Sequence, residues 1–191
     1  MFVLFTTNLI AQDNSFKEND VITNEHHQSA LFHNITSIVK SPTKLTFDYL
    51  TYEFNETEGL YYNYLNTIKI NPSRSALVII DPEPVPFLDS VIVNIFNPLI
   101  EKLSSLGMKI IYSPSGSPIN KNLLIIDQGV IIYNYDMMDS YLFNQNIKNL
   151  FYIGFEVFEC VLDKPNGIYS FKLRDYEKKM NIFLIEEGAV G

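Results

Sequence analysis

Cys160 and Asp81 are the two residues whose types and positions could do chemistry together. A thiol near the start of a helix is a candidate nucleophile, because the helix N-terminus lowers a thiol pKa and offers backbone N–H groups to an oxyanion. A nearby carboxylate could take the thiol proton. Cys160 is the single cysteine of the chain, which excludes an intrachain disulfide and a thiolate zinc cluster. A buried core thiol and a strand-end carboxylate are the structural alternatives.

Strand and helix patterns alternate in the second part of the chain and predict the elements that hold these residues. The apolar run Ala76–Ile80 is typical of a strand buried on both faces, and Asp81 directly follows it. The run Leu150–Phe155 is a second such strand, and Cys160 follows near the start of a helix. Because ligands bind beyond the carboxyl ends of parallel strands, we expect both side chains at that edge.

Further patterns complete the prediction of a doubly wound α/β sheet. The additional strands are expected at 109–114 and 182–185, with weaker candidates at 123–127 and 129–133, and helices are expected at 89–107, 136–146 and 158–179. Pro98 predicts a kink or a break in the first helix, and Gly107 predicts its left-handed end. Pro165 predicts an interruption of the last helix.

The first 72 residues differ from this domain. Residues 1–12 are apolar and end in a small-residue site at Ala11, which indicates a signal-peptide remnant, with an N-terminal strand as the alternative. Residues 13–72 are interpreted as a polar arm and then a small β-type extension, because 44–70 alternates in part and is rich in aromatic residues. The α/β domain takes 73–191. A signal peptide would imply an exported protein, periplasmic or extracellular, and its absence a cytoplasmic one.

Composition narrows the classes of function. With 22 acidic and 14 basic side chains, the net charge of −8 is a poor match for phosphate-driven nucleic-acid binding. No apolar run reaches the ~18–20 residues of a membrane-spanning helix. The three histidines (His26, His27 and His33) are confined to the first fifth of the chain, so we expect neither a metal site nor another cofactor. The aromatic excess leaves apolar surface for a homo-oligomer.

Three segments carry a more specific pattern, namely Ser75–Asp81, Leu106–Pro114 and Leu150–Val161. In this order and spacing they resemble the isochorismatase-like cysteine hydrolases, a superfamily that includes nicotinamidases and N-carbamoylsarcosine amidohydrolases. The run Cys-Val-Leu-Asp-Lys-Pro-Asn-Gly-Ile at 160–168 is similar to one in an uncharacterised branch, where Arg stands in place of Lys164. The resemblance covers roughly residues 73–190. It implies a three-layer α/β/α sandwich with a mostly parallel sheet.

The resemblance also implies a Cys–Asp–Lys triad. Cys160 would be the nucleophile and Asp81 its base, and attack on an amide-type carbonyl would form a thioester that water then hydrolyses. The backbone amides of Glu156 and Cys160 match the oxyanion hole, and the Phe155–Glu156 bond matches a non-proline cis peptide. True isochorismatases lack this cysteine, so the resemblance implies hydrolysis of a C–N bond rather than of a vinyl ether.

The lysine of the triad is the main departure from the superfamily. The single lysine between residues 116 and 145 is Lys121, which precedes an apolar run instead of following a strand. Aligning back from the cysteine strand places the position near Gln128 instead. The metal site of nicotinamidases is also missing, because Ser115–Ile119 stands where its histidines would be. The chain stops at Gly191, where members of the superfamily continue with another helix, so we expect a C-terminally short domain.

Two principal hypotheses of function follow. In the first, the protein is an active hydrolase of a small-molecule substrate, with Cys160, Asp81 and the candidate Lys121 as its catalytic residues. In the second, it is a catalytically inactive isochorismatase-like binding or assembly protein that lacks the lysine. Glu156 and Glu159 favour the second, because acids beside a thiol raise its pKa. A third hypothesis is a secreted surface protein that recognises its partner through the N-terminal extension.

Overall fold

A computed structural model describes residues 3–5, 44–55, 57, 60–174 and 180–190. The polar arm predicted for 13–41, including the three histidines, lies outside these residues. Within the described part of the chain, no helix is both long enough and apolar enough to cross a membrane.

An eight-stranded sheet organises the protein. In chain order its strands are β1 (Val3–Phe5), β2 (Leu45–Asn55), β3 (Leu60–Ile70), β4 (Ser75–Ile80), β5 (Lys109–Ser113), β6 (Val130–Ile131), β7 (Asn149–Phe155) and β8 (Asn181–Val190). Across the sheet the order is β3-β2-β1-β8-β7-β4-β5-β6. Each neighbouring pair from β1 across to β6 is parallel, and β2 and β3 add an antiparallel hairpin at one edge.

Helical segments connect the parallel strands. They are α1 (Asp89–Val91), a π-helical turn (Ile92–Phe96), α2 (Asn97–Ser105), α3 (Tyr135–Asn144), a second π-helical turn (Val157–Val161) and α4 (Ile168–Arg174). The first three follow one another without a break, so Pro98 does not end the predicted helix. Proline lacks a backbone N–H, and the wider π-helical turn directly before α2 accommodates this. Gly107 follows with a φ of 91°, as expected for a left-handed end.

Alternate residues of the central strand β4 face two separate cores. On one face, Leu77 and Ile79 pack in a core that includes Phe96 of the first π-helical turn. On the opposite face, Val78 packs in a core that includes Met138 of α3. A sheet with an apolar core and helices on each side is a three-layer α/β/α sandwich. The predicted fold class, with its mostly parallel doubly wound sheet, is confirmed.

The N-terminal segments belong to the same sheet. Val3–Phe5 forms β1 between β2 and β8. The other residues of the signal-peptide remnant predicted for 1–12 lie outside the described part of the chain. In the hairpin, Leu45 and Phe47 are buried in the core that contains Leu77. The predicted β-type extension therefore widens the sheet of the α/β domain at its edge.

Residues 123–127 form a loop, so the strand predicted there is wrong, and the candidate at 129–133 is reduced to β6. Side chains provide hydrogen-bond partners for the backbone of this loop. The Leu124 N–H donates to Asn97 Oδ1 at 2.7 Å, and the Tyr112 hydroxyl donates to the Leu124 carbonyl at 2.8 Å. Because these groups already have partners, the loop needs no neighbouring strand.

The helix predicted over 158–179 is interrupted, as Pro165 indicated. The second π-helical turn ends at Val161 and α4 begins at Ile168, with Pro165 in the connection between them. Residues 175–179 lie outside the described part. β8 is longer than the predicted 182–185, because it continues alongside the end of β7.

We predict that Gly154→Ala lowers the free energy of unfolding by roughly 1–3 kcal/mol, because overpacking a close contact forces the backbone apart. Gly154 pairs with Ile80 of β4, and an added Cβ would lie 2.6 Å from the Ile80 carbonyl oxygen. Urea unfolding measures the change. The control Ser140→Ala, on the exposed side of α3, should stay within about 0.5 kcal/mol of the unsubstituted protein. Unchanged stability of Gly154→Ala would contradict the close approach of β4 and β7.

Candidate functional site

β4 and β7 are neighbours and end side by side at the carboxyl edge of the sheet. Ile80 pairs with Gly154, so the residues that follow each strand leave the sheet at the same place. Asp81 follows β4, and the helical turn after β7 carries Cys160. The Asp81 carboxylate is near enough to the Cys160 thiol to raise its pKa. The structure thus brings together the two residues whose types first suggested chemistry.

Asp81 is 7% exposed and is surrounded by donors. Its Oδ1 accepts hydrogen bonds from Lys164 Nζ, with which it forms an ion pair, and from Ser115 Oγ. Its backbone has a left-handed φ of 48°, and its N–H donates to the Ser113 carbonyl at 3.1 Å. A buried carboxylate is stable when it is paired and hydrogen-bonded, and Lys164 and Ser115 supply both conditions.

Lys164 reaches Asp81 from the connection between the second π-helical turn and α4. Two hydrogen bonds hold this connection in place. The Ser170 hydroxyl donates to the Lys164 carbonyl at 3.1 Å, and the buried Tyr152 hydroxyl donates to the Asn166 carbonyl at 3.1 Å. Lys164 and Asp81 are 83 positions apart in the chain, so their pairing depends on the fold.

The structure places the candidate lysines differently from the sequence prediction. Lys121 is exposed on a turn, and Gln128 is also exposed. In the described part of the chain the ion pair of Asp81 is made by Lys164, and none joins Lys121 to it. Sequence reasoning missed Lys164 because it compared positions with the superfamily. The sequence does contain a signal for Lys164. It follows Cys160 by four residues, and residues four apart lie on the same face of a helix.

Cys160 is partly exposed, and its thiol is held in the protonated form. Burial is the largest cause that raises the pKa of the thiol to about 12, and the hydrogen bonds to Asp81 and Glu156 and the charge of Asp81 contribute in the same direction. The nearby ammonium of Lys164 acts in the opposite direction. The Cys160 Sγ donates to Glu156 Oε2 at 3.3 Å. Attack by this protonated thiol on an amide therefore requires a base to receive the proton as the S–C bond forms.

The backbone around Glu156 differs from the prediction in one respect. None of the described residues has a cis peptide bond, so the cis Phe155–Glu156 bond implied by the resemblance is wrong for this structure. Glu156 instead adopts a left-handed φ of 52°, which turns the chain from β7 into the helical turn. The Cys160 N–H donates to the Glu156 carbonyl at 2.7 Å. An oxyanion hole at this amide requires that bond to open when substrate binds.

A cavity of about 320 Å³ lies beside the ion pair. It is lined by Ser113, Pro114, Ser115, Gly116, Tyr133, Lys164, Pro165 and Asn166. Its lining includes both groups that bind Asp81, so a small molecule in the cavity would contact the polar side of the site. Among the described residues, no group of three metal-binding side chains is close enough together to hold a metal ion.

No protein-family model matches the chain, and no curated protein matches its sequence. Solved structures do match. A cysteine hydrolase from Pseudomonas syringae pv. phaseolicola 1448A is 16% identical with a TM-score of 0.48, over 63% of this chain and 74% of that chain. An isochorismatase family protein is 14% identical with a TM-score of 0.37, over 57% of this chain and 97% of that chain.

We predict that Lys164→Gln slows alkylation of Cys160 by iodoacetamide roughly tenfold, because losing the ammonium raises the thiol pKa and each pKa unit changes the thiolate fraction tenfold. Below the pKa of about 12, the rate in the unsubstituted protein should rise about tenfold per pH unit from pH 7 to 10. Lys121→Gln is the matched comparison and should label at the original rate. Slower labelling in Lys121→Gln, with Lys164→Gln unchanged, would contradict the placement of the cation.

Proposed function

We propose that the protein is an isochorismatase-like cysteine hydrolase that cleaves an amide-type C–N bond of a small molecule. The observation that carries this proposal is the ion pair of Asp81 and Lys164 close to the Cys160 thiol, whose pKa both groups influence. A nucleophile, a carboxylate and a cation close together are the three groups that such a reaction uses. Lys164 takes the place of the candidate Lys121 in this proposal.

The reaction would proceed in two stages. Cys160 Sγ attacks the carbonyl carbon, its proton passes to a carboxylate of the site, and the C–N bond breaks as the leaving nitrogen receives a proton. Water then attacks the thioester, the C–S bond breaks, and the thiol regains its proton. The net change is the addition of one water molecule to the amide. Lys164 keeps the total charge of the site low while the proton moves.

The presence of the thiol supports cleavage of a C–N bond over cleavage of a vinyl ether, since the true isochorismatases that the motifs resemble lack this cysteine. The cavity beside Lys164 supports a small substrate, because about 320 Å³ suits a small molecule and not a polypeptide. We propose that the carbonyl group enters from this cavity toward Cys160.

A catalytically inactive binding protein is the second candidate, and two observations favour it. The pKa of the Cys160 thiol is raised to about 12, and the Cys160 amide is occupied by the Glu156 carbonyl. A fold that only binds a ligand would tolerate both features. Formation of an acyl-enzyme separates the candidates, because binding alone forms no covalent bond to sulfur.

We predict that the protein, mixed with a panel of small primary amides, releases ammonia and forms a transient acyl adduct on Cys160 in rapid-quench mass spectrometry. Cys160→Ala should abolish both signals, and Asp81→Asn should reduce turnover, because it removes the carboxylate that pairs with Lys164 beside the thiol. Lys148→Gln, an exposed lysine at the opposite end of β7, is the control and should retain activity. Equal turnover by Cys160→Ala and the unsubstituted protein would exclude the hydrolase.

A further inference from the structure

Glu156 is a second carboxylate at the thiol, and the triad does not use its side chain. It lies directly after β7, is exposed, and accepts a hydrogen bond from Cys160 Sγ at its Oε2 over 3.3 Å. Its left-handed backbone is uncommon for a residue other than glycine. Such strain persists where the surrounding structure enforces it, and it is concentrated at functional sites.

The two carboxylates beside the thiol have different surroundings. Asp81 is almost buried, and its Oδ1 already accepts hydrogen bonds from Lys164 and Ser115. Glu156 is exposed to solvent. Among the described residues, its side chain accepts a hydrogen bond from Cys160. A proton carrier must receive a proton from sulfur, turn toward the leaving group and exchange with water. An exposed side chain can perform these movements, whereas an enclosed ion pair cannot.

We propose that Glu156 is a further catalytic residue, which takes the thiol proton as Cys160 attacks and passes it to the leaving nitrogen. This role rests on the proposed hydrolase function. In the first stage the S–C bond forms, the proton moves from Sγ to Glu156 Oε2 and then to nitrogen, and the C–N bond breaks. In the second stage Glu156 takes a proton from the attacking water and returns it to sulfur as the thioester breaks.

In this proposal Asp81 and Lys164 position the thiol and do not carry the proton. Their ion pair stays intact through the cycle and holds the thiol in position from the buried side. The charged groups that face the thiol are therefore Asp81 and Lys164 on one side and Glu156 on the other. Proton movement is confined to the exposed side, where the amine leaves and water enters.

The reactive ester p-nitrophenyl acetate tests the role, because acylation and deacylation can be followed separately. Its leaving group needs no proton, so the thiolate fraction of Cys160 reacts without a base. Water, in contrast, needs a base to attack the acetyl-thioester. We expect Glu156→Gln to keep the burst of p-nitrophenolate and to slow deacylation roughly 100-fold, so that the acetyl adduct accumulates on Cys160. Glu159→Gln, an exposed acid in the same helical turn, is the matched control and should deacylate normally.

The pH profile of iodoacetamide labelling is a second readout, which tests the hydrogen bond between Cys160 and Glu156. Removing the Glu156 charge takes away one cause of the raised thiol pKa, so Glu156→Gln should shift the pH profile of iodoacetamide labelling to lower pH. Glu159→Gln should leave that profile in place. Circular dichroism of both variants verifies that they fold.

The outcomes separate this role from the proposed function. Normal deacylation in Glu156→Gln, together with accumulation of the adduct in Asp81→Asn, would assign the proton to Asp81 and overturn the role of Glu156 alone. The same burst in Cys160→Ala as in the unsubstituted protein, or no burst in either, would overturn the cysteine hydrolase and the role of Glu156 with it.

Discussion

The ion pair between Asp81 and Lys164 is the interaction on which the rest of the site depends. Burying a carboxylate, here to 7% exposure, is unfavourable without a partner of opposite charge, and Lys164 supplies that charge. The partner is held by its backbone, because Ser170 and Tyr152 fix the connection that carries Lys164. The strand end, the helical turn and the connection to α4 are therefore held together by one charge pair. The cysteine lies beside it.

The surroundings of Cys160 explain why the thiol needs assistance. Burial is the largest cause of its raised pKa, the carboxylates of Asp81 and Glu156 add to it, and the ammonium of Lys164 opposes it. Enzymes that use a preformed thiolate surround it with positive charge. Here the arrangement favours the protonated thiol in the free protein, so reactivity must come from proton transfer during attack. A pair of carboxylates, one enclosed and one exposed, is suited to that requirement.

Much of the fold could be predicted from local sequence, because each central strand is a continuous apolar run. Ala76–Ile80 and Leu150–Phe155 are such runs, and they placed Asp81 and Cys160 at strand ends. The partner of Asp81 could not be read in this way. Lys164 meets it across 83 positions, and whether two distant side chains touch depends on the loop that carries one of them. Comparison with the superfamily pointed instead to the segment between residues 116 and 145, where Lys121 is the single lysine and the aligned position lies near Gln128.

The backbone conformation at Glu156 and in the loop 123–127 also could not be predicted from the sequence. The left-handed turn at Glu156 replaces the expected cis peptide bond, and the loop at 123–127 has the apolar composition of a strand. In both places, particular hydrogen bonds decide the conformation. The carbonyl of Glu156 accepts the Cys160 N–H, and Asn97 and Tyr112 bond the loop backbone. The first is a bond within the backbone and the others join side chains to the backbone, and no periodic sequence pattern records any of them.

A double-mutant cycle on the rate of Cys160 alkylation tests most directly whether Asp81 and Lys164 act on the thiol as one unit. The four proteins are the unsubstituted chain, Asp81→Asn, Lys164→Gln and the double variant. Residues in contact give coupling of about 0.5–3 kcal/mol in such cycles, whereas independent residues give additive effects. We predict that Asp81→Asn speeds alkylation and Lys164→Gln slows it, and that the rate of the double variant shows coupling in this range. Strict additivity of the two substitutions would contradict the account.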